Sequence, residues 1–257
     1  SIPFFEGVFF DLDGTLADTA PDLVAAANRL LISKNMPPMP YESLRPMASA
    51  GARGLIQKSF GIDKEHPDFI SLRDEFLNYY EEALLVHSKL YEGMEELLQK
   101  LEDEKLPWGI VTNKQKRFTV PLTEQMGLMQ RAHCVVSGDT TPFSKPHPEP
   151  ILHAARLTKV NPQKALYVGD DIRDIVSGKA AGMQTAAALY GYCGCNEPPS
   201  TWGANYQIQH PRELQQIIFA EQGKVWVSTY IRVSEKEWQN LDFDALTDEI
   251  PVAEGAG

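Results

Sequence analysis

Five short apolar runs, separated by amphipathic stretches of helical period, constrain this chain more than any other feature of it. The runs are Gly7-Val-Phe-Phe-Asp-Leu, Trp108-Gly-Ile-Val-Thr, Cys134-Val-Val-Ser, Ala165-Leu-Tyr-Val-Gly and Gln184-Thr-Ala-Ala-Ala-Leu. Each is too short for a helix and lacks period-two alternation, which predicts strands buried on both faces. Helical patterns lie between them, from Glu92 to Glu104, Arg117 to Met126, Pro148 to Leu157 and Ile172 to Ala181. Strands alternating with helices of this length predict an α/β fold with a Rossmann-like parallel sheet. In such sheets ligands gather beyond the carboxyl ends of the strands, so the residues that follow each run are the candidates for chemistry.

One interval breaks the alternation. From Asp18 to about Lys89 the pattern is helical throughout, predicting an inserted, all-helical second domain. Pro21 suits the first turn of a helix reaching Lys34, with Asp18 or Thr19 as its cap and Pro37-Pro-Met-Pro as its end. Gly51-Ala-Arg-Gly reads as a flexible turn before another helix, and Phe69, Leu72, Phe76, Tyr80 and Ala83 form one apolar stripe. The expected division is a core of residues 1–17 and 88–220, a helical cap of 18–87 and an extension of 221–257. In that extension Val225, Val227, Thr229, Ile231 and Val233 alternate as in a strand, and Ser234 with Glu237 forms a capping box. It is open to extending the sheet, covering the cap or forming a homodimer contact.

Composition excludes several classes. The 24 Lys and Arg against 35 Asp and Glu give a formal charge of −11, unsuited to gripping nucleic acid through phosphates. No apolar run approaches the ~18 residues of a membrane span. Ser1-Ile-Pro-Phe-Phe lacks the basic and apolar regions of a secretory signal, and three cysteines make no disulfide framework. A cytoplasmic protein is expected. Cys193-Gly-Cys195 has no further thiols nearby to complete a soft-metal site and reads as an incidental loop.

Four constellations follow the predicted strands in order. Asp11-Leu-Asp-Gly-Thr releases two carboxylates from a strand into a glycine turn. One such carboxylate can attack phosphorus while the other protonates a leaving oxygen. An EF-hand reading fails, since glycine falls at the fourth loop position rather than the sixth. Thr112-Asn113 and the Lys145 of Ser144-Lys-Pro-His-Pro supply a hydroxyl and an ammonium for phosphate oxygens. Val168-Gly-Asp-Asp-Ile-Arg-Asp crowds Asp170, Asp171 and Asp174 together, where a hard cation such as Mg²⁺ is the natural neutraliser. Singly, Thr-Asn and Lys-Pro pairs are common surface features, and acids at a helix start complement its dipole; their order is what gives them weight. Arg53, between two glycines of the insert, is a candidate contact for a substrate anion or else a surface arginine near a helix start.

This ordered set, over residues 5 to 218, resembles the haloacid dehalogenase-like phosphohydrolases, and the insert is similar to the helical cap of their phosphoglycolate phosphatase branch. The resemblance implies an Mg²⁺-dependent phosphomonoesterase acting on a small phosphorylated metabolite. By it Asp11 is the nucleophile, Asp13 the general acid and then base, and Thr112 and Lys145 the phosphoryl ligands. Asp11, the Asp13 carbonyl and Asp170 are the metal ligands, with Asp174 behind them. Gly51-Ala-Arg-Gly, Val86-His-Ser-Lys-Leu, Trp108-Gly-Ile-Val-Thr-Asn-Lys, Tyr190-Gly-Tyr and Trp202-Gly-Ala further resemble bacterial phosphatases of N-acetylmuramic acid 6-phosphate. The expected substrate is therefore either that ester or 2-phosphoglycolate. A phosphomutase and a non-catalytic phosphometabolite-binding protein are the alternatives.

Overall fold

The computed structural model describes residues 4–194 and 197–219. All five predicted runs are parallel strands of one sheet: β1 (Gly7–Phe10), β4 (Trp108–Val111), β5 (Cys134–Val136), β6 (Ala165–Gly169) and β7 (Gln184–Ala188). A sixth, β8 (Tyr206–Ile208), joins the edge beside β7, giving the order β5-β4-β1-β6-β7-β8. Every residue of β1 is buried, as the unbroken apolar run requires, with Val8 facing Trp108 on one neighbour and Leu166 on the other. The chain runs outward from β1 through β4 to β5, then returns to β6 on the opposite side of β1. The carboxyl ends of β1 and β6 therefore flank the switch point where such sheets bind ligands.

The crossovers are α5 (Met94–Asp103), α6 (Lys116–Gln125), α7 (Glu149–Thr158) and α8 (Ile172–Ala180), with α9 (Glu213–Ile218) closing the described chain. The four crossover helices each lie within two residues of their expected spans.

The insert holds α1 (Ala20–Ser33), α2 (Tyr41–Leu44), α3 (Gly51–Phe60) and α4 (Phe69–Glu82). Its two roots are not helical: β2 (Ala17–Asp18) pairs antiparallel with β3 (Lys89–Leu90), so the chain enters and leaves the insert side by side. The predicted stripe on α4 buries Phe69, Phe76 and Tyr80, while Ala83 falls just past the helix. Gly51-Ala-Arg-Gly is not a turn before a helix but the first turn of α3, and only Gly51, at φ 58°, carries the bend. Neither Asp18 nor Thr19 caps α1 through its side chain. The Tyr192 hydroxyl, from beyond β7, accepts the Thr19 and Ala20 N–H groups at 2.9 and 2.8 Å. It satisfies a helix start that local residues leave open.

Among the described residues no helix is long and apolar enough to cross a membrane. The strand and capping box expected after Glu221, and Cys195, lie outside the described residues.

Candidate active site

The loop leaving β1 is shaped by one glycine. Gly14 adopts φ 79°, and a Cβ there would sit 2.2 Å from the Asp170 carboxylate, so any side chain would push the loop away from β6. That close approach sets Thr15 Oγ1 3.0 Å from Asp170 Oδ1, to which it donates. Asp11 follows directly on β1, its N–H bonded to the Val168 carbonyl of β6 and its Oδ1 accepting the Leu12 N–H at 2.8 Å.

Lys145 gathers the acids. Its Nζ lies 3.1 Å from Asp11 Oδ1, 2.7 Å from Asp174 Oδ1 and 2.8 Å from the Tyr167 hydroxyl, which itself donates to the Val111 carbonyl. Burial disfavours the Lys145 charge, but Asp11 and Asp174 outweigh it and hold the ammonium above its ordinary range. Asp11, Asp170 and Asp174 offer oxygens all within 4.8 Å of one another. Burial, then the charge of Asp174, pushes Asp11 well above the usual carboxylate range. The same two causes push Asp170 up to about 7, against the hydrogen bonds from Tyr192 and Thr15. Lys145 meets two of these three carboxylates, so the cluster keeps two formal negative charges among all-oxygen donors. That donor set fits one hard divalent cation such as Mg²⁺. Asp174 stands in this cluster with Asp11 and Asp170, while the Asp13 carboxylate turns to Thr19 and Lys114.

Asp171 has a different task. It caps α8 in a reciprocal box with Asp174 and takes Arg173 through both carboxylate oxygens, at 2.8 and 3.1 Å. Burial works against its charge, yet Arg173 holds its carboxyl below the ordinary range. Arg173 also donates to the Ser49 carbonyl at 2.7 Å, tying the core to the insert.

Asp13 Oδ1 accepts from Thr19 Oγ1 and from Lys114 Nζ, each at 2.5 Å. Lys114 was not among the expected site residues, although the Thr112-Asn113-Lys114 run held it two positions from Thr112. It reaches in turn to the Tyr80 hydroxyl of α4 at 2.6 Å. Burial lowers the affinity of Lys114 for its proton, but Asp13 and then Tyr80 raise it further, so the ammonium is firmly charged.

Thr112 is buried, and its Oγ1 accepts the Lys114 N–H at 3.1 Å, leaving its own O–H to donate. Asn113 is a wall of the same pocket, but its side-chain amide is occupied: it accepts the Lys145 N–H and donates to the Lys145 carbonyl, both at 2.9 Å. Its side chain therefore sets the Lys145 backbone. The pocket encloses about 340 Å³ and is lined by Asp11, Asp13, Thr112, Lys145 and Asp170, facing Phe76 and Tyr80 of the insert. Arg53 lies apart, exposed on α3, where it lines a neighbouring cleft of about 630 Å³ with Trp202 and Arg173. The arginines on the Asp11 pocket itself are Arg73 and Arg173.

Comparisons with known proteins converge on this arrangement. Residues 8–188 match the haloacid dehalogenase-like hydrolase family. A Pseudomonas putida protein named N-acetylmuramic acid 6-phosphate phosphatase is 44% identical over 82% of this chain and 95% of its own. A Xanthomonas campestris phosphoglycolate phosphatase is 40% identical over 82% and 95%. The crystal structure of a predicted phosphoglycolate phosphatase from Haemophilus somnus superposes with a TM-score of 0.75 at 26% identity, over 84% of this chain and 99% of that one. With the match reaching from β1 through β7 and taking in the insert and every acid of the cluster, the chain belongs to the haloacid dehalogenase-like hydrolase family.

Proposed function

We propose that this hydrolase is a phosphatase that cleaves a small sugar-type phosphate monoester through a phosphorylated Asp11, with N-acetylmuramic acid 6-phosphate as its substrate. The observation that carries this reading is the Asp11–Lys145–Asp174 junction beside Asp170, which sets a carboxylate, an ammonium and a cation site around one point. Asp11 Oδ attacks phosphorus while the bond from phosphorus to the ester oxygen breaks, and Asp13 delivers a proton to the departing alkoxide. Water then attacks the aspartyl-phosphate, its proton passes to Asp13, and inorganic phosphate leaves with Asp11 restored. Lys145 and the Thr112 hydroxyl hold the phosphoryl oxygens as charge shifts. Lys114 and Thr19 orient Asp13 for both proton transfers. Asp11, Asp170 and the Asp13 carbonyl, with Asp174 beside them, would hold Mg²⁺, which would supply Lewis-acid charge to the phosphoryl group.

Residues 18–87 act as a cap hinged at the β2–β3 ribbon. Closure excludes bulk water and brings Tyr80 onto Lys114. Pocket size supports the larger of the two esters named by the relatives. A phosphorylated two-carbon acid would leave most of 340 Å³ to water, whereas an N-acetylated hexose phosphate fills such a volume. Leu23, Phe76, Leu77 and Phe118 give the sugar an apolar wall.

The test is phosphate release with Mg²⁺ on N-acetylmuramic acid 6-phosphate, 2-phosphoglycolate and plain hexose phosphates, with Asp11→Asn as the blank. Preference for the muramic ester supports the reading. Preference for phosphoglycolate overturns the substrate, isomeric sugar phosphate without free phosphate makes the protein a mutase, and binding without turnover makes it a sensor.

A further inference from the structure

Four cations line the Asp11 pocket, and three of them are committed to the protein's own acids. Lys145 holds Asp11 and Asp174, Lys114 holds Asp13, and Arg173 holds Asp171 through both oxygens. Arg73, which lines the same pocket from α4, is different. Its ion pair is with its sequence neighbour Asp74 at 3.1 Å, through one carboxylate oxygen, and both side chains are substantially exposed, at 41% and 59%. An exposed pair of this kind contributes little and is exchanged readily for a better partner. A guanidinium on a pocket wall can offer two parallel N–H groups to a ligand carboxylate.

Both esters considered above share a feature beyond their phosphate. Phosphoglycolate is a carboxylic acid, and N-acetylmuramic acid carries a lactyl carboxylate on its hexose ring. The acids around Asp11 would repel such a group, so a phosphate ester with a second anion needs a cation remote from the cluster. We infer that Arg73 is the residue that selects phosphate monoesters bearing a carboxylate on the leaving group, by receiving that carboxylate in place of Asp74. The inference rests on the phosphatase reading of this pocket. It adds what that reading leaves open, namely how the cap distinguishes an acidic sugar phosphate from a neutral one. Selection by the cap has a structural logic, because α4 approaches the leaving group while the sheet ends hold the phosphate. Apolar Phe76 and Leu77, next on the same helix, would then flank the sugar body between the two anions.

The experiment compares kcat/KM for N-acetylmuramic acid 6-phosphate and N-acetylglucosamine 6-phosphate, which differ only by the lactyl ether, in wild type, Arg73→Gln and Arg73→Lys. The ratio of the two is read, so any loss of folded protein cancels. The wild type should favour the acidic ester, and Arg73→Gln should shrink that preference by about tenfold to a hundredfold, the worth of a charge-assisted contact. Arg73→Lys should keep part of it. Loss of both activities in proportion, or an unchanged ratio, overturns the role of Arg73. So does a wild type that does not distinguish the two esters. If the wild type instead prefers phosphoglycolate, the substrate reading fails alone, and the ratio of phosphoglycolate to ethyl phosphate then decides for or against Arg73. A wild type inactive on all four esters removes the phosphatase reading itself and this inference with it.

Discussion

Lys114 Nζ sits 2.5 Å from Asp13 Oδ1, and the same ammonium takes the Tyr80 hydroxyl of α4 at 2.6 Å. One buried charge thus joins the acid that follows β1 to the helix that covers it. Aromatic neighbours pack around the joint: Tyr80 stacks on Phe76 and packs against Phe118, and Lys114 lies 4.7 Å from the Tyr80 ring centre. Burial, countered only in part by Lys114, pushes the Tyr80 hydroxyl up to about 12, so it meets the lysine as a neutral phenol.

Replacing Lys114 by Met should therefore lower kcat by about a hundredfold, the lower range for losing a well-placed proton-transfer group. Tyr80→Phe removes only the cap's half of the joint and should cost about tenfold or less. Steady-state kinetics with Mg²⁺ saturating check both. Equal losses in the two variants would show that the cap contact, not the orientation of Asp13, is what Lys114 provides.

Asp11→Asn should abolish turnover, since an amide does not form the acyl phosphate. It should also raise the melting temperature of the metal-free protein. Asp11, Asp170 and Asp174 repel one another around a single lysine, and neutralising one relieves the cluster. A thermal melt in EDTA reads this directly; a lower melting temperature for the variant would mean that the Asp11–Lys145 pair outweighs the repulsion.

The same repulsion sets a pH dependence. Asp170 has its folded-state pKa pushed up to about 7, from an unfolded value near 3.8. Between those values the folded state keeps a proton that the unfolded state has released. The stabilisation is full below about pH 4 and is lost as pH rises through 7. Metal-free protein should melt lower at pH 8 than at pH 5.5. Mg²⁺ should reverse the trend, because protons compete with the cation at low pH, so its stabilising shift is larger at pH 8. Calorimetry at both pH values, with and without Mg²⁺, checks the sign.

The parts of this molecule legible in the sequence are those fixed by local pattern. β1, β4 and β6 are buried along their whole length, and β5 and β7 are buried at all but one residue each, so their unbroken apolar runs identify them. Asp11, Asp13, Thr112, Lys145 and Asp170 follow strand ends, and parallel topology brings strand ends together. What escaped depends on distant partners. β8 is three residues at an edge, and β2 and β3 are two residues each, strands only because each pairs with another segment. The cap of α1 is supplied by Tyr192, some 170 residues away, which no local signal encodes. Arg53 drew attention through its glycines, yet those glycines begin α3 and leave Arg53 on the neighbouring cleft. Arg73 carries no local signal in the sequence; only the fold puts it on the pocket wall.

The cap's attachment yields the last prediction. Asp22, in the first turn of α1, is buried at 3% exposure, and no ammonium or guanidinium faces its carboxylate among its hydrogen-bond partners. Instead the carboxylate accepts the backbone N–H groups of Val86, His87 and Ser88 at 2.9 to 3.2 Å, and the Ser88 hydroxyl at 2.6 Å. Those residues are the chain leaving the insert, so one side chain on the entering helix binds the exit strand immediately before β3. A buried carboxylate is tolerated there because four donors replace its water. Asp22→Ala would leave these donors without an acceptor and should cost about 3 kcal/mol of stability, read as a lower denaturation midpoint at unchanged slope. Asp22→Asn keeps one acceptor oxygen but aims an NH₂ at N–H groups, and should recover little of the loss. If the clasp serves the hinge alone, hydrogen exchange will rise at residues 84–90 while the sheet stays protected; if it supports the whole fold, β1 and β6 will exchange faster as well.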